Sequence, residues 1–194
     1  MDITSAQLKE LRDLTGISVM QCKKALEEAG GDMDKAKIIL QKKGGEIALK
    51  KSDRELGAGA IGSYVHSTYE VAALVHLACE TDFVAKNQEF VTLAREIAMH
   101  VAAQSPLYIT RAEVNEEALI KAKEVFMEEV KDKPAEIQEK ILGGKLDAYF
   151  KDRILMEQPF IKDQEKTIGD LVNTAIQKFG ENIVISAMSR LSVK

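Results

Sequence analysis

The sequence predicts an α+β protein: an N-terminal three-helix domain followed by an α+β core in which helices pack a small antiparallel sheet. Three observations carry that prediction. Residues 1–45 hold three helical periods, each with its own cap and glycine stop. Two runs rich in strand formers are separated by the short polar segment Ser67-Thr68-Tyr69-Glu70. A third alternating run closes the chain behind one more capped helix, and strands separated in this way by helices belong to the α+β class.

The first helix is the best marked. Thr4 and Gln7 make a capping-box pair, and Ile3 and Leu8 stand at the staple positions. Leu8, Leu11 and Leu14 form its stripe before Gly16 stops it. Ser18 with Gln21 repeats the box, and Val19, Cys22, Ala25, Leu26 and Ala29 recur at helical spacing until Gly30-Gly31. Asp32 then caps a third helix carrying Met33, Ala36, Ile39 and Leu40, expected to end at Gly44-Gly45. Three helices this short must bury their stripes on one another.

Residues 46–58 read as a linker that can be helical in part: polar, with Lys50, Lys51 and Arg54, and running into Gly57, Gly59 and Gly62. The core follows over 59–194. Residues 60–66 and 71–79 predict an antiparallel hairpin. From Gln88, helical spacing through Phe90, Leu93, Ile97 and Val101 runs until Pro106. Thr110 with Glu113 marks the next helix start, with Leu119, Ala122, Val125, Phe126 and Val130 as its stripe until Lys133-Pro134. The segment after Pro134 repeats the pattern through Ile137, Ile141, Leu142, Leu146, Tyr149 and Phe150. Its Gly143-Gly144 pair would cost roughly 1 kcal/mol per glycine inside a helix, so its continuity stays open. MEQPFIKDQEK reads as irregular. Thr167 with Asp170 opens a last helix closed by Gly180, and alternation from Ile183 to Val193 gives the third strand.

Composition removes several function classes. With 27 Lys and Arg against 31 Asp and Glu, the net charge of −4 supplies no overall drive toward nucleic acid or anionic lipid. No stretch approaches the ~20 apolar residues that span a bilayer, and the start MDITSAQLKE lacks the order of a signal peptide. Cys22 and Cys79 stand far apart, as small buried hydrophobes do in a reducing compartment. These features predict a cytoplasmic protein with no membrane partner and no direct nucleic-acid partner.

Catalytic motifs fail on context. Gly57-x-Gly59-x-x-Gly62 spells the dinucleotide fingerprint, but it precedes a strand instead of following one and opening a helix. His76 and Cys79 are three apart on a strand and face opposite sides of the sheet, so they cannot chelate together. His66 and His100 have no nearby ligand partner in sequence and read as structural. No nucleophile elbow or P-loop occurs. The expectation is therefore no catalytic residue, no cofactor and no metal site.

Phe83 stands out, because it sits beyond a strand end in the polar run ETDFVAKNQE without a periodic partner. Thr81 or Asp82 can cap a short turn while Phe83 and Val84 fold back onto the core, and periodicity alone favours that arrangement. Alternatively the turn is a tip that presents an acid and an aromatic to a partner's pocket.

The segment CETDFVAKN, residues 79–87, resembles the Cys/Gln-x-Thr-Asp-Phe-Val-Ala-Lys-Asn stretch of the elongation factor Ts family, and further matches run in order along nearly the whole chain. Leu11-Arg12-Asp13-Leu14-Thr15-Gly16 through Met20-Gln21-Cys22-Lys23-Lys24-Ala25-Leu26 is similar to its amino-terminal run, and Gly30-Gly31-Asp32 to its helix boundary. Gly62-Ser63-Tyr64-Val65-His66, Ile97-Ala98-Met99-His100-Val101-Ala102-Ala103, Glu157-Gln158-Pro159-Phe160 and Lys166-Thr167-Ile168 resemble its core motifs. The resemblance implies a guanine-nucleotide exchange factor whose partner is elongation factor Tu, in its GDP-bound and nucleotide-free states. It implies that Val19, Met20 and Lys23 dock on the partner's GTPase domain, where local reading gives only a core Val19 and a solvated Lys23. It also implies that Asp82 and Phe83, framed by Thr81 and Val84, intrude near the partner's Mg2+ site and weaken the bound diphosphate.

Longer forms of that family carry a duplicated core and a helical-hairpin insert; 194 residues leave room for one core unit and match the short form. Short forms can pair as homodimers, so a second copy of the chain is a further implied partner that these residues do not decide. The last strand departs from the pattern: Ile185-Ser186-Ala187-Met188-Ser189-Arg190 stands where the family commonly has an Arg- and Phe-rich stretch, which puts any role of that strand in doubt. Two other readings stand beside the resemblance, an adaptor whose three-helix domain resembles ubiquitin-associated modules and a nucleotide-dependent enzyme built on the Gly-rich stretch.

Overall fold

The computed structural model describes residues 3–131 and 134–193. Met1, Asp2 and Lys194, at the ends of the predicted domains, and Lys133 of the predicted Lys133-Pro134 break lie outside the described residues. The architecture is α+β, a small antiparallel sheet packed by helices and preceded by a helical region.

Helix α1 (Ser5–Thr15) opens on a full capping box between Thr4 and Gln7 and ends on Gly16 at φ 67°. Helix α2 (Val19–Glu28) is capped by Ser18, whose hydroxyl accepts from the Gln21 amide. The box is only half made, because the buried Gln21 Oε1 finds no partner among the described residues. Leu11, Ile17, Cys22, Ala25, Leu26, Ala36 and Leu40 form the bundle's own core, with Ile3 and Leu8 against it as the staple requires.

Helix α3 (Met33–Lys51) corrects the sequence expectation, running through Gly44-Gly45 and taking in the first part of the predicted linker. The reason is tertiary. Its first half buries Ala36 and Leu40 in the bundle, while Ile47 and Ala48 pack against the larger core. At Gly44 the helix lies so close to a later one that a Cβ would sit 3.3 Å from Gln177 Oε1 and 3.4 Å from the Asn173 carbonyl. Packing on both sides thus outweighs the weak helix propensity of glycine.

Strand β1 (Ala58–Val65) pairs antiparallel with β2 (Val71–Cys79) as predicted. After a single helical turn, α4 (Asp82–Ala85), helix α5 (Gln88–Gln104) crosses the sheet, with Phe90, Ala94, Ile97, Ala98 and Val101 buried. Gly62 admits it, since a Cβ there would lie 2.0 Å from the Ala94 carbonyl oxygen. Of the glycines in the apparent fingerprint, Gly62 thus serves strand–helix contact, while Gly59 lies against β2, where a Cβ would be 2.7 Å from the Leu77 carbonyl oxygen.

The helix expected from Thr110 begins later. Residues Arg111–Glu113 form a 3-10 turn, and Asn115 caps α6 (Glu116–Val130), its side chain accepting from the Ala118 amide. Helix α7 (Ala135–Lys151) is continuous through Gly143-Gly144. The α6–α7 hairpin closes on its own cluster of Ala122, Phe150 and Ile154.

The stretch read as irregular holds a two-stranded hairpin, β3 (Pro159–Phe160) with β4 (Asp163–Thr167). Helix α8 (Ile168–Phe179) then starts on a Thr167–Asp170 capping box and stops at Gly180. Strand β5 (Ile183–Ser192) pairs antiparallel with β2, giving the order β1-β2-β5. Its alternation is broken by a bulge at Ser186, which leaves His76 opposite Ala187 and Leu77 opposite Ile185. Ile183 and Ile185 face the core, but beyond the bulge Met188 takes the inward place and Ala187 is exposed.

Candidate functional site

The chain leaves β2 at Cys79 and must turn at once into α4. Thr81 caps that turn, its hydroxyl oxygen 3.5 Å from the Val84 amide. The two hydrophobic residues of the turn then separate. Val84 is 3% exposed and enters the core, whereas Phe83 is 83% exposed. The expectation that both fold inward therefore holds for one of them. The turn buries the adjacent Val84 and Ala85, which leaves Asp82 and Phe83 on its outer side.

Asp82 stands beside Phe83 with a side chain 78% exposed and an ion pair to Lys86 at 3.1 Å. Such an exposed pair contributes little stability, so the carboxylate stays available. Behind the tip, Glu181 accepts from the backbone amides of Glu80 at 3.1 Å and Thr81 at 3.0 Å and from the Thr81 hydroxyl at 2.5 Å. Glu80 answers by accepting from the Asn182 amide at 2.6 Å, and Arg54 pairs with it at 3.2 Å. The Asn182 amide, with help from Arg54, holds the Glu80 carboxyl below the usual range. Sequence reasoning missed Glu80, Glu181 and Asn182. The polar Glu181-Asn182 pair between a glycine stop and an apolar strand was the available signal.

The second predicted group lies in the first turns of α2. Met20 is 69% exposed and Val19 is exposed beside it, so the core placement of Val19 is overturned. Lys23, one turn on along the same face, is exposed and pairs with Glu27 at 3.8 Å. The structure thus brings Thr81 to Val84 together and Val19, Met20 and Lys23 together. Among the described residues, no hydrogen bond or ion pair joins the two groups directly.

The other candidates have partners within the fold. Cys79 is buried in the core while His76, on the opposite face, takes a hydrogen bond with Ser186 at 2.6 Å. Burial raises both thiols, Cys22 and Cys79. His66 meets Thr68 at 3.0 Å, and buried His100 meets Gln158 at 2.9 Å. Among the described residues, no helix is long and apolar enough to cross a membrane.

The family model described as Elongation factor TS matches residues 4–194. The chain belongs to the elongation factor Ts family. It is 48% identical over 193 residues to Elongation factor Ts of Thermosipho melanesiensis, covering 98% of each chain. It is 47% identical to Elongation factor Ts of Fervidobacterium nodosum, covering all of this chain and 99% of that one, and 45% identical to that of Geotalea uraniireducens, covering all of this chain and 90% of that one. Membership in the elongation factor Ts family makes the chain an elongation factor of protein biosynthesis.

Proposed function

We propose that this chain is a guanine-nucleotide exchange factor that binds elongation factor Tu carrying GDP, disturbs its Mg2+ site with the Thr81 to Val84 corner, and releases GDP so that GTP can rebind. The observation that carries this reading is Phe83, an aromatic side chain left 83% exposed on a turn whose entry is held by Glu181 through the Glu80 and Thr81 amides. Burying such a ring in a partner's pocket contributes about 1.5–3 kcal/mol, and its rigid base keeps the cost of ordering it low. Asp82 places a carboxylate where it competes for a cation's surroundings. Val19, Met20 and Lys23 offer an apolar and a charged contact to the GTPase domain, which holds the partner while the corner works.

The logic is linkage. A ligand that prefers the nucleotide-free state of its partner must weaken nucleotide binding by the same coupling factor, so no catalytic residue of its own is needed. One ring supplies less than a coupling of several kcal/mol requires, and the corner is expected to act together with the bundle and the sheet. The division of labour is a docking domain over 1–45, a connection over 46–58 that includes the end of α3, and an exchange core over 59–194. This work belongs in the cytoplasm and involves no direct nucleic-acid or membrane contact.

The test loads elongation factor Tu with a fluorescent GDP, adds the chain with excess unlabelled GDP, and follows release. Acceleration at micromolar protein is expected, and its absence would sink the reading.

A homodimer is the second reading, favoured by the uncovered face of the sheet. Ile61, Val65, Leu74 and Leu191 are exposed there on three neighbouring strands. A sheet face carrying exposed apolar side chains on all of its strands suits a self-complementary interface. Sedimentation equilibrium at micromolar concentration decides it: a dimer is expected, and a monomer throughout ends the reading.

A further inference from the structure

The ladder between β2 and β5 ends at the Cys79–Ile183 pair, so the amides of Glu80 and Thr81 have no strand partner at the point where the chain turns. Glu181 supplies the acceptor for both through one carboxylate oxygen, while its other oxygen takes the Thr81 hydroxyl proton. A hydroxyl has one proton to give. Once that proton is committed to Glu181, the lone pairs of the Thr81 oxygen are left toward the Val84 amide, which is the cap that starts α4. The direction in which Asp82 and Phe83 leave the sheet is therefore set from outside their own turn.

The same junction reaches the end of α3. Asn182, buried beside Glu181, donates from its side chain to the carbonyls of Ser52 at 3.5 Å and Arg54 at 3.3 Å. Lys51, the last residue of α3, donates to the Gly180 carbonyl, and Arg54 pairs with Glu80. Three segments far apart in sequence, 51–54, 80–81 and 180–182, are laced into one block, with the bundle's longest helix on one side and Phe83 on the other.

We propose that Glu181 is a positioning residue for nucleotide exchange: it aims Asp82 and Phe83, and through Asn182 it ties that aim to the end of α3. This rests on the reading of the Asp82–Phe83 tip as the working part. The substitution Glu181→Gln keeps size but removes the charge and turns one of the two acceptor oxygens into an NH2 donor, so the two amides and the Thr81 hydroxyl can no longer all be accepted. Hydrogen bonds to a charged acceptor are strong enough that release at saturating chain is expected to slow roughly tenfold. The concentration giving half-maximal rate is expected to move less than about twofold, because Val19, Met20 and Lys23 are untouched.

A partner-free measurement separates this inference from the exchange reading. In the free chain, Glu181→Gln is expected to speed amide hydrogen exchange at Thr81 and Val84 roughly tenfold while the central amides of β2 stay protected. Unchanged amide protection, or a wild-type saturating rate, overturns the positioning role. So does an equal loss of rate and half-saturation together with a lowered melting temperature, which is what a merely structural contact gives. If Glu181→Gln does not fold, Glu181→Asp, one methylene short of reaching Thr81, carries the same measurements. Should the Asp82→Ala, Phe83→Ala double variant exchange at the wild-type rate, the reading of the tip as the working part fails, and the amide result still decides whether Glu181 orders the corner.

Discussion

The Thr81 to Val84 corner and the His100–Gln158 junction are both closed by side chains, yet they are finished in opposite ways. At the corner, Glu181 takes the amides of Glu80 and Thr81, Glu80 takes that of Asn182, and Asp82 and Phe83 are left in solvent. At the junction, His100 is 0% exposed and Gln158 3%. Gln158 donates to the Asp152 carbonyl at 2.6 Å, which turns its oxygen toward His100 Nε2, and His100 Nδ1 accepts from the Ile161 amide at 3.4 Å. Both places carry motifs of the family resemblance, so a motif alone does not separate contact from scaffold. What separates them is where the side chains go: into the core at the junction, into solvent at the corner.

The largest effect that would sharpen this contrast is at the corner. The double substitution Asp82→Ala, Phe83→Ala is expected to slow GDP release from elongation factor Tu roughly tenfold to 100-fold, from the loss of a buried aromatic anchor and its neighbouring charge. Binding to nucleotide-free partner should weaken much less, and the melting temperature should stay within about 1 °C because both side chains are exposed. Equal losses of rate and affinity would make the tip an anchor only.

The junction should answer to pH instead. Burial lowers the pKa of His100 below 6.5, against a smaller upward pull from Gln158. A depressed folded-state pKa means that the unfolded chain binds a proton the folded chain refuses, so the stability from neutral His100 is full above pH 6.5 and is lost as pH falls below it. Protonation would also place a hydrogen on Nδ1 facing the Ile161 amide. Thermal melts at about pH 7.5 and about pH 5.5 check this. The wild-type melting temperature is expected to fall over that interval and that of His100→Gln to fall less; parallel curves would clear His100 of the effect.

What could be read from the sequence was local. Thr4, Asp32, Thr167, Gly16 and Gly180 act within four residues of themselves, and each cap is where the spacing put it. The Glu181–Thr81 bond joins residues a hundred positions apart, and no period or motif announces it. Ser186 hid its bulge inside an alternating run that reads as unbroken, because the shift becomes visible only against β2. At Phe83 the residues alone left two outcomes. The structure splits them, with Val84 in and Phe83 out.

Glycine pairs show the same limit and give the smallest predicted effect. Gly44-Gly45 reads as a stop and Gly143-Gly144 leaves continuity open, and both lie inside helices. Their surroundings differ. Gly44 is pressed against Asn173 and Gln177 of α8, whereas a Cβ at Gly143 or Gly144 would meet nothing within 4 Å. At the open positions only propensity and unfolded-state entropy act, so Gly143→Ala and Gly144→Ala are each expected to stabilise the chain by about 0.5–1 kcal/mol. A larger side chain at the closed position, Gly44→Leu, should cost about 1–3 kcal/mol by forcing α3 from α8. Denaturant midpoints for the three variants measure this. Stabilisation by Gly44→Leu would show that α3 does not depend on close contact with α8, and destabilisation by the alanines would place the α6–α7 hairpin against something other than solvent.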